Sequence, residues 1–243
     1  MNEYLSSASL KAQAKGQLLG KYGKVVSVTA IYGASTFILS LNAAVLIDTS
    51  SLFGIILYQA ASYLISLLIG MLAFGLSYIY LKLCCNQPIL VKDIFYGFSY
   101  NTNRILGIEA VFAGISCVCT FPANLFTLVL QRNPNNFYLM LPYALLIICG
   151  AVVSVFLQLP ISQSHYLLLD FPQYSPKEIL YSSRKIMQGS KGRLFYIHLS
   201  FIPLYLLGAV GFYIPLLWVH PYLQAVLANF YMDVVKKYNH TKG

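Results

Sequence analysis

Six apolar runs of membrane-spanning length make up most of this sequence, and they limit its fold more than any other feature. The runs cover residues 25–47, 52–83, 105–130, 137–160, 194–213 and 214–235. A helix needs about 20 apolar residues to cross a bilayer, whereas a membrane strand needs only about 10, with alternating polarity. The sequence therefore predicts a single integral membrane domain over residues 1–243, an all-α transmembrane bundle of about six spans.

The charge content excludes a water-soluble fold for most of the chain. Charged residues make up 9% of the sequence, whereas a soluble domain carries roughly 25%. In a soluble protein the net charge of +9 would suggest nucleic acid as a partner. Here the basic residues lie between the apolar runs, so their positions indicate membrane topology, and we expect no nucleic-acid partner.

Lysine and arginine positions predict the orientation of the bundle. With six spans and a cytoplasmic N-terminus, Arg132 is the one basic residue among 16 that lies outside. Basic residues collect in cytoplasmic segments, and a five-span topology would put Lys236, Lys237 and Lys242 on the wrong side. We therefore expect a multi-pass protein of the cell membrane with both termini in the cytoplasm. The sixth run also fits an amphipathic surface helix, because prolines and polar residues interrupt it.

Three segments predict helices on the inner membrane surface, at residues 6–22, 90–102 and 175–189. At 100° per residue, two of them carry an apolar stripe opposite polar side chains. In the middle segment the stripe is Leu90, Val91, Ile94, Phe95 and Phe98. In the last segment it is Ile179, Leu180, Ile186 and Met187. Basic side chains on the three helices are candidate membrane-surface contacts: Lys11, Lys15, Lys92, Arg184 and Lys185.

The segment 175–189 has the clearest predicted boundaries. Ser175 is expected as the N-cap, Pro176 as the first helical residue, Glu178 as the second half of a capping box, and Gly189 as the stop. Residues 177–181 resemble residues 92–96, and each set leads into an apolar run. One hypothesis is therefore that the chain repeats a single unit three times, a surface helix followed by a two-span hairpin.

Among the ionisable side chains within the runs, three are candidates for a functional role, namely Glu109, His198 and His220. Burying a charge in a membrane costs about 3 kcal/mol even on lenient scales, so each is a candidate functional residue. Glu109 and His198 lie near the inner ends of their runs and could meet inside the bundle. Such a pair would make a proton or cation site, because a carboxylate beside an imidazole can titrate near neutral pH. The alternative is that each side chain reaches interfacial water.

Motifs for covalent chemistry and nucleotide binding are absent from the sequence. Neither Gly-x-Ser-x-Gly nor a phosphate-binding glycine loop occurs, so we expect no enzyme and no cofactor. His165 and Asp170 follow the fourth run at a spacing unsuited to metal ligation. The five cysteines lack paired spacing and are interpreted as reduced packing residues. Prolines within the runs either free carbonyls for a transport path or only bend the helices.

The C-terminal third carries the most specific pattern. It reads Ser-Arg-Lys-Ile-Met-Gln-Gly-Ser-Lys-Gly-Arg-Leu-Phe over residues 183–195, Leu-Ser-Phe-Ile over 199–202, Pro-Tyr over 221–222 and Ala-Asn-Phe-Tyr over 228–231. With Phe-Tyr-Gly-Phe at 95–98, it resembles the bacterial integral-membrane family named domain of unknown function 975. The resemblance implies a multi-span cell-membrane protein and supplies no activity, catalytic residue or cofactor. A more distant likeness to the membrane-embedded part of some glycerophosphodiester phosphodiesterases implies a lipid-facing role without their catalytic barrel.

Two functions remain open on the sequence. The first is a non-enzymatic accessory subunit, scaffold, or envelope-stress or immunity factor, which contacts the lipid bilayer and another membrane protein or transporter. Small outer loops, basic inner helices and missing catalytic motifs favour it. The second is a small transporter or lipid-handling permease that uses the region of Glu109 and His198. A polar cavity reaching the bilayer midplane would favour the second.

Overall fold

A computed structural model describes residues 5–211 and 214–242, apart from the side chains of residues 42–44, 209 and 239–242. Within these ranges the chain forms ten α-helices and no strand. The helices are α1 (Ser7–Leu18), α2 (Tyr22–Leu46), α3 (Leu52–Cys84), α4 (Tyr96–Ser99), α5 (Thr102–Arg132), α6 (Met140–Gln158), α7 (Ser164–Asp170), α8 (Pro176–Ile186), α9 (Lys191–Val210) and α10 (Leu216–Lys242). Short 3-10 turns occur at Val91–Phe95, Phe137–Leu139 and Leu159–Ile161.

Four segments are long and apolar enough to cross a membrane. They are Tyr22–Leu41 within α2, all of α3, all of α5, and Phe137–Asp170, which contains α6 and α7. The predicted all-α class is confirmed, and the first four predicted runs coincide with these segments. The described parts of α9 and α10, which occupy the last two runs, are not among the segments of that length and hydropathy. Tyr213, the predicted end of the fifth span, lies outside the described residues.

α6 is the least covered of the long helices. It packs against α5 at Gly150, where an added Cβ would lie 2.4 Å from the carbonyl oxygen of Cys119. Its other faces expose apolar side chains: Leu141, Leu145, Ile147, Ile148, Val152, Val153, Val155, Phe156 and Leu157. Water-soluble proteins rarely expose a contiguous apolar surface of this extent, so the surface of α6 is typical of a lipid-facing helix.

Fully buried side chains collect at one end of the bundle, which we call the core end. It comprises α1, α7, α8, the first halves of α2, α5 and α9, the second half of α3, and the middle of α10. On α1, Leu10, Ala14 and Leu18 recur every four residues and are fully buried, and this helix packs along α10. The opposite end, which we call the far end, carries the turns that join α2 to α3, α5 to α6 and α9 to α10.

Ion pairs join neighbouring elements at the core end. Lys82 Nζ lies 2.8 Å from Asp93 Oδ2, and Arg193 Nη2 lies 2.7 Å from Asp233 Oδ2. Arg193 also donates to the carbonyl oxygen of Leu5 at 2.8 Å, which ties the start of the described chain to α9 and α10. The predicted helix 6–22 is shorter than expected, because α1 ends at Leu18 and the chain then turns into α2.

The prediction of one regular surface helix over residues 90–102 is wrong. The segment consists of the 3-10 turn Val91–Phe95 and the single turn α4, and Asn101 at φ 47° separates it from α5. Its backbone lies directly on α3, since a Cβ on Gly75 would be 1.9 Å from the carbonyl oxygen of Ile94. Of the predicted apolar stripe only Ile94 is buried; the others are exposed: Leu90, Val91, Phe95 and Phe98.

The predicted start of 175–189 is confirmed, but the helix ends at Ile186, three residues before the predicted stop at Gly189, and its apolar stripe faces protein. Ser175 Oγ accepts from the backbone N–H of Glu178 at 3.4 Å, and Glu178 Oε2 accepts from the N–H of Ser175 at 2.7 Å. Pro176 begins α8, and Gly189 has a φ of 77° just after it ends. The residues of the stripe are buried or half-buried in the core end rather than open to lipid: Ile179, Leu180, Ile186 and Met187.

Candidate functional site

Glu109 on α5 lies inside the bundle and pairs with His165 on α7. Glu109 is 5% exposed, and its Oε1 atom lies 2.5 Å from Nε2 of His165. Glu109 lies about 10 Å along the axis of α5 from Thr102, the first residue of the helix, at a rise of 1.5 Å per residue. A buried carboxylate is tolerated only when it is paired or protonated. The geometry therefore allows a proton to be held between the two side chains.

Ser77 on α3 makes the second polar contact of the imidazole. Its Oγ atom lies 3.3 Å from Nδ1 of His165 and 3.0 Å from the carbonyl oxygen of Ala73. A serine hydroxyl has a single proton to donate. If that proton points to Ala73, Oγ accepts from a protonated Nδ1; if it points to Nδ1, the imidazole is neutral. Ser77 can thus satisfy either protonation state of His165 by rotating its hydroxyl.

A cavity of about 230 Å³ adjoins the imidazole. Helices α2, α3, α7, α9 and α10 and the turn before α7 contribute its polar lining: Tyr32, Ser77, Ser162, Gln163, His165, Tyr166, His198 and Gln224. Gln163 is 2% exposed, and its Oε1 atom has no hydrogen-bond partner in the described part of the chain. Leaving a buried amide oxygen unpaired costs about 1–3 kcal/mol. The cavity is therefore suited to water or a small polar solute that donates a hydrogen bond.

His198 lines this cavity but does not contact Glu109. Its Nδ1 atom lies 3.0 Å from the carbonyl oxygen of Leu194, so Nδ1 carries the proton and Nε2 is left as an acceptor in the neutral form. The predicted pairing of Glu109 with His198 is therefore wrong, because the histidine that contacts Glu109 is His165. The structure brings both histidines to one cavity, and His165 supplies the direct contact.

The sequence missed His165 because that residue was expected beyond the fourth span, in the cytoplasm. In the structure α6 ends at Gln158, and the turn Leu159–Ile161 leads into α7, whose residues 166–168 are buried in the core. The signal that could have located it was Pro160, which cannot donate a backbone hydrogen bond and interrupts the helix just before the histidine. His220, the third candidate, stacks on Tyr32 at 6.2 Å between ring centroids.

A second polar cavity, which we call the α3–α5 groove, lies nearer the far end and has a volume of about 220 Å³. Gln59 on α3 is its centre. Its Nε2 atom donates to the carbonyl oxygen of Cys117 at 2.9 Å and to Oγ1 of Thr120 at 3.2 Å, and its Oε1 atom accepts from Asn124 at 2.7 Å. The groove extends to Ser66, near the middle of α3.

The basic residues predicted at the membrane surface lie at the core end. Four of them are exposed: Lys15, Lys92, Arg184 and Lys185. Lys11 is half-buried, with Nζ 5.0 Å from the centroid of the Phe201 ring, and Lys15 Nζ lies 5.8 Å from that of Tyr222. These two lysines thus hold α1 against α9 and α10 through cation–π contacts. Contact of the five residues with lipid stays a prediction.

Comparison with protein families gives a match over nearly the whole chain. The family described as "Protein of unknown function (DUF975)" matches residues 1–238, which include both histidines of the cavity and Glu109. The chain belongs to the DUF975 family. The resemblance inferred from the C-terminal pattern is thereby confirmed. No curated protein and no solved structure gives a significant match to this DUF975 chain.

The polar groups of this DUF975 protein suit proton transfer better than metal binding. Among the residues that the structure describes, no group of three His, Cys, Asp or Glu side chains is close enough to hold a metal ion. Glu109 and His165 provide two groups, which suffice to exchange a proton. All five cysteines are free.

Proposed function

We propose that this DUF975 protein is a proton-conducting permease of the cell membrane, with six spans, cytoplasmic termini and no covalent chemistry. The observation that carries the proposal is the buried pair of Glu109 and His165 beside a polar cavity, inside a bundle with an apolar surface. Ionisable residues within membrane helices typically mark substrate, ion or proton pathways. The cavity favours the permease over the accessory role that the sequence also allowed.

The arrangement of the core end supports six spans. The long helices α2, α5 and α9 begin there, and α3, the α6–α7 segment and α10 return to it, so three hairpins enter the bundle from one side. The ion pair of Lys82 with Asp93 and that of Arg193 with Asp233 lie at this same side of the bundle. Because basic residues are retained in the cytoplasm, we assign the core end to the cytoplasmic side.

His165 can relay a proton without being consumed. A proton arriving from the cavity binds Nδ1, and Ser77 turns its hydroxyl toward Ala73. The imidazolium then passes its Nε2 proton to Oε1 of Glu109, and the ring becomes neutral with the proton on Nδ1. The carboxyl group is now neutral, so its attraction to the imidazole falls and it can release the proton away from the cavity. Reversal of the Ser77 hydroxyl and of the ring tautomer resets the relay.

Lipid contact is a second part of the proposal. Leu90, Phe95 and Phe98 are exposed on the segment that replaces the predicted second surface helix, and Lys92 is exposed in the same segment. Apolar side chains next to a lysine suit the boundary between acyl chains and anionic headgroups, where each basic residue contributes about 1 kcal/mol.

Proton flux into liposomes tests the permease. Purified protein is reconstituted with a pH-sensitive dye in the lumen, a pH difference is imposed, and its decay is followed with valinomycin and potassium present to remove the membrane potential. Wild-type protein should collapse the pH difference faster than protein-free liposomes. Glu109→Gln, which keeps the shape of the side chain but cannot ionise, should reduce the rate to that of protein-free liposomes.

Asp48→Asn is the matched control, because Asp48 is an exposed carboxylate in the turn after α2 that accepts hydrogen bonds from neighbouring Ser50. It should leave the flux at the wild-type rate. Wild-type liposomes as tight as those containing Glu109→Gln would overturn the proposed function. Equal loss in both variants would show that the assay reports general damage, not the pair.

A further inference from the structure

We infer that the α3–α5 groove is the outward half of the permeation path, that it accepts water and small neutral hydrogen-bonding solutes, and that Glu109 closes its inner end. The inference rests on the proposed function, because it assigns the route by which a proton leaves the carboxyl group. It concerns a cavity whose lining includes none of the relay residues Ser77, His165 and Glu109.

Polar residues recur along the facing sides of the two helices. On α3, Gln59, Ser62 and Ser66 line the groove at spacings of three and four residues, which places them on one helix face. On α5, Ser116, Thr120 and Asn124 do the same. Helix packing in membranes uses serine and threonine as well, but close packing leaves no cavity, whereas here about 220 Å³ remains between the helices.

The chemistry of the groove selects neutral solutes. Its polar lining consists of hydroxyl, amide and thiol groups, and none of its lining residues carries a charge. A metal or organic ion entering it would lose hydration without meeting an opposite charge, whereas the hydroxyl and amide groups can satisfy a neutral molecule by hydrogen bonds. A proton needs no such entry, because it can pass along the water molecules that the groove accepts. The volume suits water or a small polyol such as glycerol.

Glu109 stands between the groove and the cavity around His165. Its Oε1 atom contacts His165, which lines the inner cavity. On α5, Glu109 lies one helical turn before Ala113, which lines the groove. Its Oε2 atom fills the space beside Gly70, one turn along α3 from the groove residue Ser66. The carboxyl group thus occupies the junction, and a shift of this one side chain would join the two cavities.

Two native cysteines provide a matched test. Cys117 lines the groove, with Sγ 2.9 Å from Nε2 of Gln59. Cys119 is two residues along the same helix, is not among the groove residues, and has its carbonyl against α6. Two single-cysteine proteins, each with the other four cysteines replaced by serine, are exposed in right-side-out vesicles to the small, uncharged and polar reagent 2-hydroxyethyl methanethiosulfonate. A membrane-impermeant thiol scavenger trapped in the lumen restricts the reaction to the outer side.

Cys117 should react at least about tenfold faster than Cys119, because thiol reactivity requires solvent access. After reconstitution of each protein, modification of Cys117 should abolish dye-detected proton flux and glycerol-induced swelling, whereas modification of Cys119 should leave both.

Equal reaction rates, or full flux after complete modification of Cys117, would overturn the outward route while leaving the proposed function intact. Sodium gluconate entering as fast as glycerol would overturn the neutral-solute class. Unmodified protein without proton flux would contradict the proposed function, and the reaction rates would still decide whether the groove opens outward.

Discussion

At the scale of single residues, Gly70 matters because its missing side chain makes room for Glu109. An added Cβ would lie 2.0 Å from Oε2 of Glu109, a distance that no relaxed structure keeps. The carboxyl group is also held by His165, so it cannot move away without changing that contact. Small residues in membrane helices usually permit backbones to approach, whereas this glycine accommodates a buried carboxyl group.

We expect Gly70→Ala to lower the thermal unfolding midpoint in detergent, since overpacking costs about 1–3 kcal/mol, and to slow proton flux. Gly114→Ala on α5 is the control, because nothing lies within 4 Å of its added Cβ, and it should preserve both quantities. The double variant Gly70→Ala with Glu109→Ala should be less destabilised than the two single effects combined, because removal of the carboxyl group removes the clash. Strict additivity would contradict the contact.

The sequence predicted half of the candidate site, for physical reasons that differ between residues. Glu109 stood out because a charge in a long apolar run is costly and therefore rare. His165 did not, because its position depends on a turn that returns α7 to the bundle, and run length carries no information on that turn. His198 was predicted to meet Glu109 but lines the adjoining cavity instead, since helix rotation cannot be read from one sequence.

At the scale of secondary-structure elements, local chemistry predicted α8 well and the segment 90–102 poorly. The boundaries of α8 depend on hydrogen bonds between neighbours in sequence, which the pattern Ser175, Pro176 and Glu178 encodes. The form of the other segment depends on a long-range contact, the approach of its backbone to Gly75 on α3. Amphipathic periodicity does not report such contacts, and it therefore predicted one regular helix.

The capping box of α8 should make stability depend on pH. Two hydrogen bonds from Ser175 hold the pKa of Glu178 below the usual value of 4.5. The one from the backbone N–H has the larger effect, and the one from the side chain adds to it. Because the folded-state pKa is lowered, the stabilisation is complete above the unfolded-state pKa and is lost as pH falls through the folded value. Wild-type protein should therefore unfold at a higher temperature than Glu178→Gln at pH 7, and the difference should vanish below the folded pKa.

Ser175→Ala is the control for this cap, because it removes the hydroxyl acceptor at every pH, at a cost of about 1 kcal/mol. Its unfolding midpoint should stay below that of the wild type at both ends of the pH range. A difference between wild type and Glu178→Gln that persists at low pH would assign the effect to side-chain shape instead of charge.

At the scale of the whole molecule, the number of crossings depends on α9 and α10. Among the described residues, four segments have the length and hydropathy of spans, and the described parts of α9 and α10 are not among them. Yet these two helices join the core end like the other hairpins, and their apolar residues near the turn are exposed, among them Leu206, Leu207 and Val210. Exposure of this kind is favourable in lipid and costly in water, which supports a hairpin inserted from the core end.

Both termini lie on the same side of the membrane in a four-span and in a six-span topology. Terminal tags therefore cannot distinguish the two topologies, and the α9–α10 turn must be probed. Ile214 lies in that turn and is 60% exposed. Introduced into a cysteine-free chain, Ile214→Cys should react with an impermeant thiol reagent from the outside if α9 and α10 both cross. The controls are Asn135→Cys in the turn after α5, expected outside, and Gln188→Cys after α8, expected inside. Reaction of Ile214→Cys only after permeabilisation, like Gln188→Cys, would establish a four-span protein and contradict the six spans of the proposed permease.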